Sequence, residues 1–590
     1  MNHFKLLSIP LAVVTILLGS FWMFTNNASA DPDAPLIAPP GPICRNGASG
    51  TTPDFDLAYA DTNSGGMDLA FNVEFVPRIR TYSDQEGYVE SIGNIRFKPM
   101  LDSNGNRIVD EYWLAGAGSD LIFYNETQRY PYFSEPEDAP YPYSENTRWA
   151  KGLGPTIRAH PGRIWVVGNE VDRVTAQDSL LPETYARAYH DAYNYIKSID
   201  PTAQIATSGL VNFGPDRKQY MDNVLAAYRS LYGTDMPIDI FSMHVYNIWG
   251  RHYDNVNPNS NDGSHIALGS NPDLTWRKPI FYNPITGQER FDAALCDLAN
   301  VVCVREHDDV ELFKQQVVSM RQWMKDNGYK EKPLILREWG LNLTSDFCDE
   351  NFNQITAQRA ANYLTSTINW MNTHTDASLG YSLDENRLVQ RWAWFVIYEP
   401  TEYLPYIADI SHLITDYDIN YPPCPNTTGE WPAKIPNPGN AFDLTVVGEA
   451  YRQIVAAQQS TNPPTVDFMV EEVVNGATIQ SQAGVTVTTQ IGVYVRNIGN
   501  SPTGQATTVE FRDSSDNSLI GTYEIPANFQ GCTTALHYAK VDWERNAVGT
   551  SNFTVALSSS EEAPSAGGNN TGSGSAFVGD SGIFLPMVSR

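Results

Sequence analysis

The stretch RIWVVGNEVD, from Arg163 to Asp172, contains a short apolar run that ends abruptly at two polar side chains. The run from Ile164 to Gly168 has the composition of a buried strand, whereas Asn169 and Glu170 carry groups that need water or a hydrogen-bonding partner. A strand that simply reaches the surface would end in this way, and so would a strand that directs a carboxyl group into a cleft. The rest of the chain decides between these two interpretations.

Strand and helix patterns continue to alternate after this stretch. Helices are predicted over LPETYARAYHDAYNYIKSID, near 216–231, over DDVELFKQQVVSMRQWMKDNGY, near 355–373 and at TVVGEAYRQIVAA. They alternate with the predicted strands AQIATSGL, IDIFSMHVY, KPLILREWG and RLVQRWAWFVIY. Together with the first stretch, these segments make five strand–helix units between residues 163 and 457.

Three more strands are predicted upstream, at FDLAYAD, NIRFKPML and SDLIFYNE, with helical stretches between them. Three and five units give eight, and this pattern predicts an α/β fold, a (β/α)8 TIM barrel, over residues 55–458. A doubly wound open sheet is the alternative. That fold normally has a glycine-rich phosphate turn after its first strand, and the sequence shows no such turn there.

A change of periodicity after Pro463 and Pro464 predicts a second domain. Val466, Phe468 and Val470 alternate with other residues, and short strands of this kind indicate a small Ig-like β-sandwich over 465–558. The segments VTVTTQIGVYVRNIGNSPTG and LIGTYEIP resemble the CARDB-type adhesion modules of bacterial surface proteins. The resemblance implies cell-surface or glycan contact through this domain. A Pro/Gly-rich linker is predicted over 31–54 and a Ser/Gly-rich tail over 559–590.

Residues 1–30 have the features of a secretory signal peptide. A single Lys precedes an apolar run from Leu6 to Phe24, and Ala28-Ser29-Ala30 is a suitable cleavage site. An uncleaved membrane anchor is the alternative. Six cysteines without a CxxC or Cys/His cluster fit an oxidising compartment, and their spacing would allow Cys296 to pair with Cys303 and Cys348 with Cys424. We therefore expect a secreted, extracellular protein, with association at the cell surface left open.

The charge of the chain limits its partners. Asp and Glu number 68 against 39 Lys and Arg, which gives a formal net charge of −29. A chain this acidic repels phosphate backbones, so nucleic acid is excluded as a partner, whereas a neutral carbohydrate does not respond to net charge. We expect a monomer that acts on a polysaccharide or oligosaccharide.

Polar side chains recur where the predicted barrel strands end. The fourth strand ends at Asn169 and Glu170, the sixth at His244 and Tyr246, and the seventh at Glu338. In a barrel these ends converge on one cleft. Cleavage of a glycosidic bond needs one protonated carboxyl group to donate to the departing oxygen and one ionised carboxylate to attack the sugar carbon. An apolar wall is expected to raise the pKa of the first group.

Asn-Glu after strand four, His-x-Tyr after strand six, Glu after strand seven and Trp on strand eight resemble the clan A retaining glycoside hydrolases. The resemblance covers roughly residues 55–458. It implies that Glu170 is the general acid/base and Glu338 the nucleophile, and that no cofactor or metal takes part. It also implies substrate-binding or supporting roles for a further set of residues: Asn169, His244, Tyr246, Trp394 (or Trp392 in its place) and Arg96.

Within that clan, FKPML and GNEVD are similar to the glycosyl hydrolase catalytic-core group that includes endo-β-1,3-glucanases. Val171 stands where that group usually has Pro. The sequence therefore predicts a secreted O-glycosyl hydrolase that cleaves β-glycosidic bonds by double displacement, with the sugar, the linkage and the endo or exo mode left open.

Each residue alone has a simpler explanation. Asn-Glu after a strand is commonly a helix cap, a buried His is commonly structural, and Trp392 and Trp394 could fill the barrel. A non-catalytic glycan-binding or surface-adhesion protein on a hydrolase-like barrel is the alternative function. The order of the set, with each polar residue at the end of its own strand, favours the enzyme.

Overall fold

The structure is a computed structural model of the 590-residue chain. The residues that it describes are 45, 48–49, 79–80, 92–101, 107–115, 123–124, 157, 161–173, 180–251, 264–265, 267–277, 280–282, 289–298, 300–341, 348–396, 409–415, 424–426, 435, 443–461, 465–480, 484–529, 531, 536–562 and 567–580. Within these residues, no helix is both long enough and apolar enough to cross a lipid bilayer.

Eight short strands pair in parallel and carry the candidate site. In chain order they are β1 (Ala48–Ser49), β2 (Ile79–Arg80), β3 (Ile92–Leu101), β4 (Ile164–Val167), β5 (Gln204–Ala206), β6 (Phe241–Val245), β7 (Leu334–Trp339) and β8 (Arg391–Phe395). Parallel pairing gives the orders β2-β1-β8-β7-β6 and β3-β4-β5. A parallel bridge between Ala206 and Ile240 joins β5 to the start of β6. The fold is mixed α/β, and the described residues show no pairing between β2 and β3.

The upstream strands differ from the sequence prediction. NIRFKPML, predicted as the second strand, lies in β3 and pairs directly with β4 through Ile95 and Val167. Of SDLIFYNE, predicted as the third strand, the structure describes Phe123–Tyr124, which pairs antiparallel with Arg107–Ala115. Arg107–Ala115 is itself the antiparallel partner of β3. Asn104-Gly105 between these two strands is a typical hairpin sequence, and counting apolar runs as parallel strands overlooked it.

The described residues of the predicted linker over 31–54 pack against the rest of the chain. FDLAYAD, the predicted first strand, lies outside the described residues. The strand labelled β1, at Ala48–Ser49, lies upstream of that segment and pairs with β8. Arg45 is buried and forms an ion pair with Asp384 at 2.5 Å. These residues belong to the packed part of the chain, although the sequence predicts a linker over 31–54.

Five helices are described, and each corresponds to a helical pattern of the sequence. They are α1 (Pro182–Ile199), α2 (Pro215–Tyr232), α3 (Val310–Asp326), α4 (Ala357–Thr373) and α5 (Val446–Thr461). Proline occupies the first turn of α1 and α2, where its missing N–H costs no hydrogen bond. Asp309 caps α3 and Thr356 caps α4, since each side chain accepts a backbone N–H of the first turn.

The strands separate two apolar regions. Trp165 and Val167 of β4 face the large core shared with the helices, whereas Ile164 and Val166 pack with Ala206 and other residues in a small cluster on the opposite face. This alternation follows from the two-residue period of a strand. Because β4 ends at Val167, the residues that follow lie at that edge of the sheet.

Short elements occupy the connections. Strand pairs lie at Gly250–Arg251 with Ser264–His265, Ile280–Tyr282 with Glu289–Phe291, and Ile414–Thr415 with Asp443–Leu444. Single 3-10 turns lie at Pro272–Leu274, Ala293–Asp297, Val304–Glu306, Ser382–Asp384, Asp409–Ser411 and Gly567–Asn569. Two disulfides, Cys296–Cys303 and Cys348–Cys424, join the pairs of cysteines that the spacing allowed.

The C-terminal part forms two facing sheets. One contains Phe468–Val474, Val487–Asn497 and His537–Arg545, and the other contains Gly476–Gln480, Thr571–Asp580, Gly549–Ser558, Thr507–Asp513 and Leu519–Ile525. Alternate side chains such as Val493, Phe511 and Phe553 fill a separate core between them. The ten-residue strand Thr571–Asp580 corrects the prediction of a tail over 559–590.

The sandwich contacts the parallel strands at the ends where they begin. The Leu536 N–H donates to the Pro161 carbonyl at 2.7 Å, three residues before β4 starts. Arg391 begins β8 and is buried, and this burial, with Arg496 of the sandwich and Arg45 nearby, lowers the pKa of Arg391 to about 9. The opposite ends of the strands, which carry the candidate site, are not part of these contacts.

Candidate active site

The backbone after β4 turns sharply and aims the Glu170 side chain. Gly168 has φ +91° and Glu170 has φ +44°. A left-handed conformation is uncommon for a residue with a side chain and is concentrated at functional sites. The Glu170 N–H donates to the Gly209 carbonyl at 2.8 Å, and this hydrogen bond fixes the turn against the residues after β5.

His244 and Glu338 approach each other because β7 contains a bulge. The parallel register of β6 and β7 shifts between Leu336 and Glu338, so that Glu338 lies opposite His244. The His244 N–H donates to the Leu210 carbonyl at 3.1 Å. Its ring packs directly over Gly209, which has no Cβ to obstruct it.

Four of the predicted site residues form one buried cluster. His244 Nδ1 lies 3.2 Å from Glu170 Oε1 and 3.5 Å from Glu338 Oε2. One carboxylate oxygen of each Glu and one His244 ring nitrogen all lie within 4.8 Å of one another. The Tyr246 hydroxyl donates to Glu338 Oε2 at 3.0 Å. The exposed fractions are 3% for Glu170, 6% for Glu338, 0% for His244 and 2% for Tyr246.

Arg173 is a partner of Glu170 that the sequence interpretation missed. Its Nη1 donates to Glu170 Oε2 at 3.1 Å, three residues further along the same turn. Burial raises the pKa of Glu170, but the hydrogen bond from His244 and the charge of Arg173 outweigh burial and lower the pKa to about 2. Glu170 is therefore ionised in the free protein, which is the opposite of the raised pKa expected from the sequence.

Trp394 and Trp392 do not lie at this cluster. The Trp394 ring is fully buried 5.2 Å from that of Trp339, and its indole N–H donates to the Ser411 carbonyl at 2.7 Å. Trp392 belongs to the same core between the sheet and the helices. The two-residue spacing correctly placed both rings on one face of β8, but that face points away from the cleft, so neither is a stacking platform.

Phe395 is the aromatic residue of β8 that reaches the cluster. It is half-buried, its ring lies edge-to-face with Tyr246 at 6.2 Å, and it packs beside Val211 and Ile248. As the neighbour of Trp394 it points to the opposite face of the strand, which is the signal that could have identified it.

The last two predicted residues are Asn169 and Arg96. Asn169 is buried next to Glu170, and its backbone pairs with Gly209. Arg96 lies in β3, the neighbour of β4, where its backbone pairs with Ala115; only this backbone position is described.

The donor atoms of Glu170, His244 and Glu338 are close enough together to be compared with a metal site. Two features favour a site that transfers protons over a site that binds a metal ion. Arg173 already donates to Glu170 and Tyr246 to Glu338, and a guanidinium so close would repel a metal ion. The arrangement is a pair of carboxylates joined by an imidazole, which can take up, pass on and release a proton.

Neither a protein-family model nor a curated protein sequence matches the chain. Several solved structures are similar at low identity. The CARDB domain of a Pyrococcus furiosus protein, solved in complex with di-metal ions, is 16% identical over 20% of this chain and 97% of that one, with a TM-score of 0.16.

Several of the similar structures are glycosidases. A monomeric beta-xylosidase from Caulobacter crescentus is 10% identical over 88% of this chain and 96% of that one, with a TM-score of 0.33. An alpha-L-arabinofuranosidase from Thermotoga maritima is 12% identical over 64% and 66%, with a TM-score of 0.26. Likenesses at this level do not assign the chain to a family.

Proposed function

We propose that the chain is a secreted retaining glycoside hydrolase that cleaves β-glycosidic bonds of a polysaccharide or oligosaccharide. The observation that carries this proposal is the buried pair Glu170 and Glu338, whose nearest oxygens lie within 4.8 Å with His244 between them. Retaining enzymes hold their two carboxyl groups about 5–5.5 Å apart, whereas inverting enzymes need about 6.5–9.5 Å to admit a water. The spacing favours the retaining mechanism.

The catalytic domain of this proposal is a (β/α)8 barrel over 55–458, extended upstream to include β1 at Ala48–Ser49. Support comes from the parallel pairing of the strands in two sets, joined by the bridge between Ala206 and Ile240, and from the position of the site residues in the last residues of β6 and β7 and just after β4 and β6. The CARDB-like sandwich is a surface-contact domain in the same proposal.

Glu338 is the nucleophile. The Tyr246 hydroxyl keeps one of its oxygens oriented and stabilises the ionised form, which is the form that attacks the anomeric carbon. The bond to the departing oxygen breaks as a glycosyl–Glu338 ester forms. Water then attacks the same carbon, releases Glu338 and leaves the sugar with its original anomeric configuration.

Glu170 is the general acid/base, and its proton must be supplied on substrate binding. Arg173 is the more accessible partner, with 18% of its side chain exposed, so a bound sugar displaces it more readily than it displaces buried His244. Loss of the guanidinium and closure by the sugar both raise the pKa of Glu170. Glu170 then donates a proton to the departing oxygen and, in the second step, takes one from water.

A trapping experiment tests this proposal. Purified full-length protein is screened for release of reducing ends from laminarin, cellulose, xylan, mannan and galactan. Active substrates are then followed with a 2-deoxy-2-fluoro glycoside of the same sugar, which slows hydrolysis of the covalent intermediate. Peptide mass spectrometry is expected to find the label on Glu338.

Variants separate the two roles. Glu338→Gln is expected to abolish turnover, and Glu170→Gln is expected to retain cleavage of aryl glycosides with good leaving groups, since these need no proton. Glu311→Gln, at an exposed position of α3, is the matched control with wild-type activity. Wild-type turnover by Glu338→Gln would refute the assignment, and glycan binding without hydrolysis on any substrate would favour a non-catalytic binding protein.

A further inference from the structure

Asp172 is a buried carboxylate that the proposed mechanism does not use. It lies two residues after Glu170, and its exposed fraction is 0%. Arg217 Nε lies 3.2 Å from Asp172 Oδ2, and the same guanidinium forms an ion pair with Asp216 through Nη1. Arg217 and Asp216 belong to the first turn of α2 and are equally buried.

Two carboxylates therefore share one guanidinium away from water. If both were ionised, one buried negative charge would remain uncompensated, which is costly. Asp216 has the better environment, because it also accepts the Ala267 N–H at 3.1 Å. Burial raises the pKa of Asp172 to about 7; Arg217 opposes the rise, while the charges of Glu170 and Asp216 add to it.

The turn that carries Glu170 is held in place on both sides of Asp172, through its side chain and through its backbone carbonyl. The Leu268 N–H donates to the Asp172 carbonyl at 3.0 Å, so this segment is tied both to α2 and to the loop that contains Ala267. The charged groups that face Asp172 are Arg217 and Asp216 from α2 and Glu170 from its own turn. Because interaction between titrating groups is reciprocal, a charge on Asp172 changes how readily Glu170 takes up a proton.

We propose that Asp172 is a positioning residue for Glu170, and that Asp172, with Arg217 and Asp216, controls the protonation of Glu170 through its own charge. The inference rests on the proposed function, in which Glu170 is the acid/base. When Asp172 is ionised, its negative charge favours the protonated form of Glu170, so the acid persists at higher pH.

An unfolding cycle tests the interaction without relying on activity. Apparent Tm of the full chain is measured at pH 5 and pH 8 for wild type, Asp172→Asn, Glu170→Gln and the double variant. Because the folded state binds a proton on Asp172 below about pH 7, wild-type stability falls between these pH values. Asp172→Asn is expected to reduce that fall, whereas Asp273→Asn, at an exposed position, is expected to leave it unchanged.

The cycle isolates the coupling of the two carboxyl groups. Glu170→Gln is expected to reduce the fall of Tm when Asp172 is present and to have no such effect in Asp172→Asn. An equal effect in both backgrounds, or a wild-type fall in Asp172→Asn, would overturn the proposal.

The pH profile of kcat supplies the catalytic readout, because Glu170 takes up its proton in the substrate complex. Asp172→Asn is expected to move the alkaline limb to lower pH by about one unit, because Glu170 loses a neighbouring negative charge. Asp216→Asn leaves Asp172 charged and is expected to keep the limb in place. Lower kcat without displacement of the limb would indicate a structural role and overturn the proposal. If no substrate is hydrolysed, the proposed function fails, while the unfolding cycle still decides whether the two carboxyl groups interact.

Discussion

Replacing Gly209 with Ala tests whether the His244 ring must occupy its present position. A Cβ on residue 209 would lie closer than 3.0 Å to two ring atoms of His244 and 3.2 Å from Cγ. Atoms in contact lie about 3.5–4.0 Å apart, so the ring would move by roughly 1 Å. The backbone has little freedom to move instead, because the Gly209 carbonyl accepts the Glu170 N–H.

The displacement has a defined cost. His244 Nδ1 is 3.2 Å from Glu170 and 3.5 Å from Glu338, so a shift of this size moves it out of hydrogen-bonding range of at least one carboxylate. Misplacement by about 1 Å at a reacting centre costs about 100-fold in rate. Overpacking of the buried ring costs about 1–3 kcal/mol in the free energy of unfolding.

Hydrolysis rates and thermal unfolding of Gly209→Ala measure both effects. Gly568→Ala is the matched control, because a Cβ there meets no atom within 4 Å. In a His244→Ala background the added methyl group has no ring to strike, so Gly209→Ala is expected to cost less than about 0.5 kcal/mol. Wild-type rate and stability in Gly209→Ala, or the same loss of stability in both backgrounds, would refute the steric explanation.

Three further changes give measurable outcomes. Arg173→Gln raises the pKa of Glu170 from about 2 towards 4.5. The depressed pKa of Glu170 stabilises the folded protein at neutral pH, and this stabilisation is lost as the pH falls through that pKa. Because the variant has less of this stabilisation, its acid unfolding, followed by circular dichroism, is expected to begin at higher pH. Opening the Cys348–Cys424 disulfide by a Cys348→Ser, Cys424→Ser change frees a 76-residue loop and is expected to cost about 4 kcal/mol of unfolding free energy in urea titrations, and an unchanged midpoint would contradict this. Phe395→Ala removes an apolar contact of the cleft and is expected to raise KM about tenfold with a smaller change in kcat; a wild-type KM would exclude a substrate contact.

The sequence predicted most reliably where local patterns are strong. All five described helices coincide with predicted helical segments, because their apolar spacing and capping residues such as Asp309 act within one turn. Glu170, His244 and Glu338 converge because parallel strands bring their carboxyl ends to one edge, which strand order alone implies.

The sequence failed where the outcome depends on neighbours in space. The pattern of β8 showed that Trp392 and Trp394 share a face, but which face points to the cleft depends on the whole sheet. The pKa of Glu170 depends on His244, 74 positions away, as well as on Arg173. Arg107–Ala115 and Thr571–Asp580 became strands through antiparallel partners that a count of strand–helix units does not include.

Under the proposed function, the position of the sandwich has a consequence for how the protein would meet a solid carbohydrate. Leu536 and Arg496 meet the strands where they start, at Pro161 and Arg391, on the side remote from the carboxylate pair. If the sandwich attached the molecule to a surface, the cleft with Glu170 and Glu338 would face away from that surface. It would then meet polysaccharide chains arriving from solution.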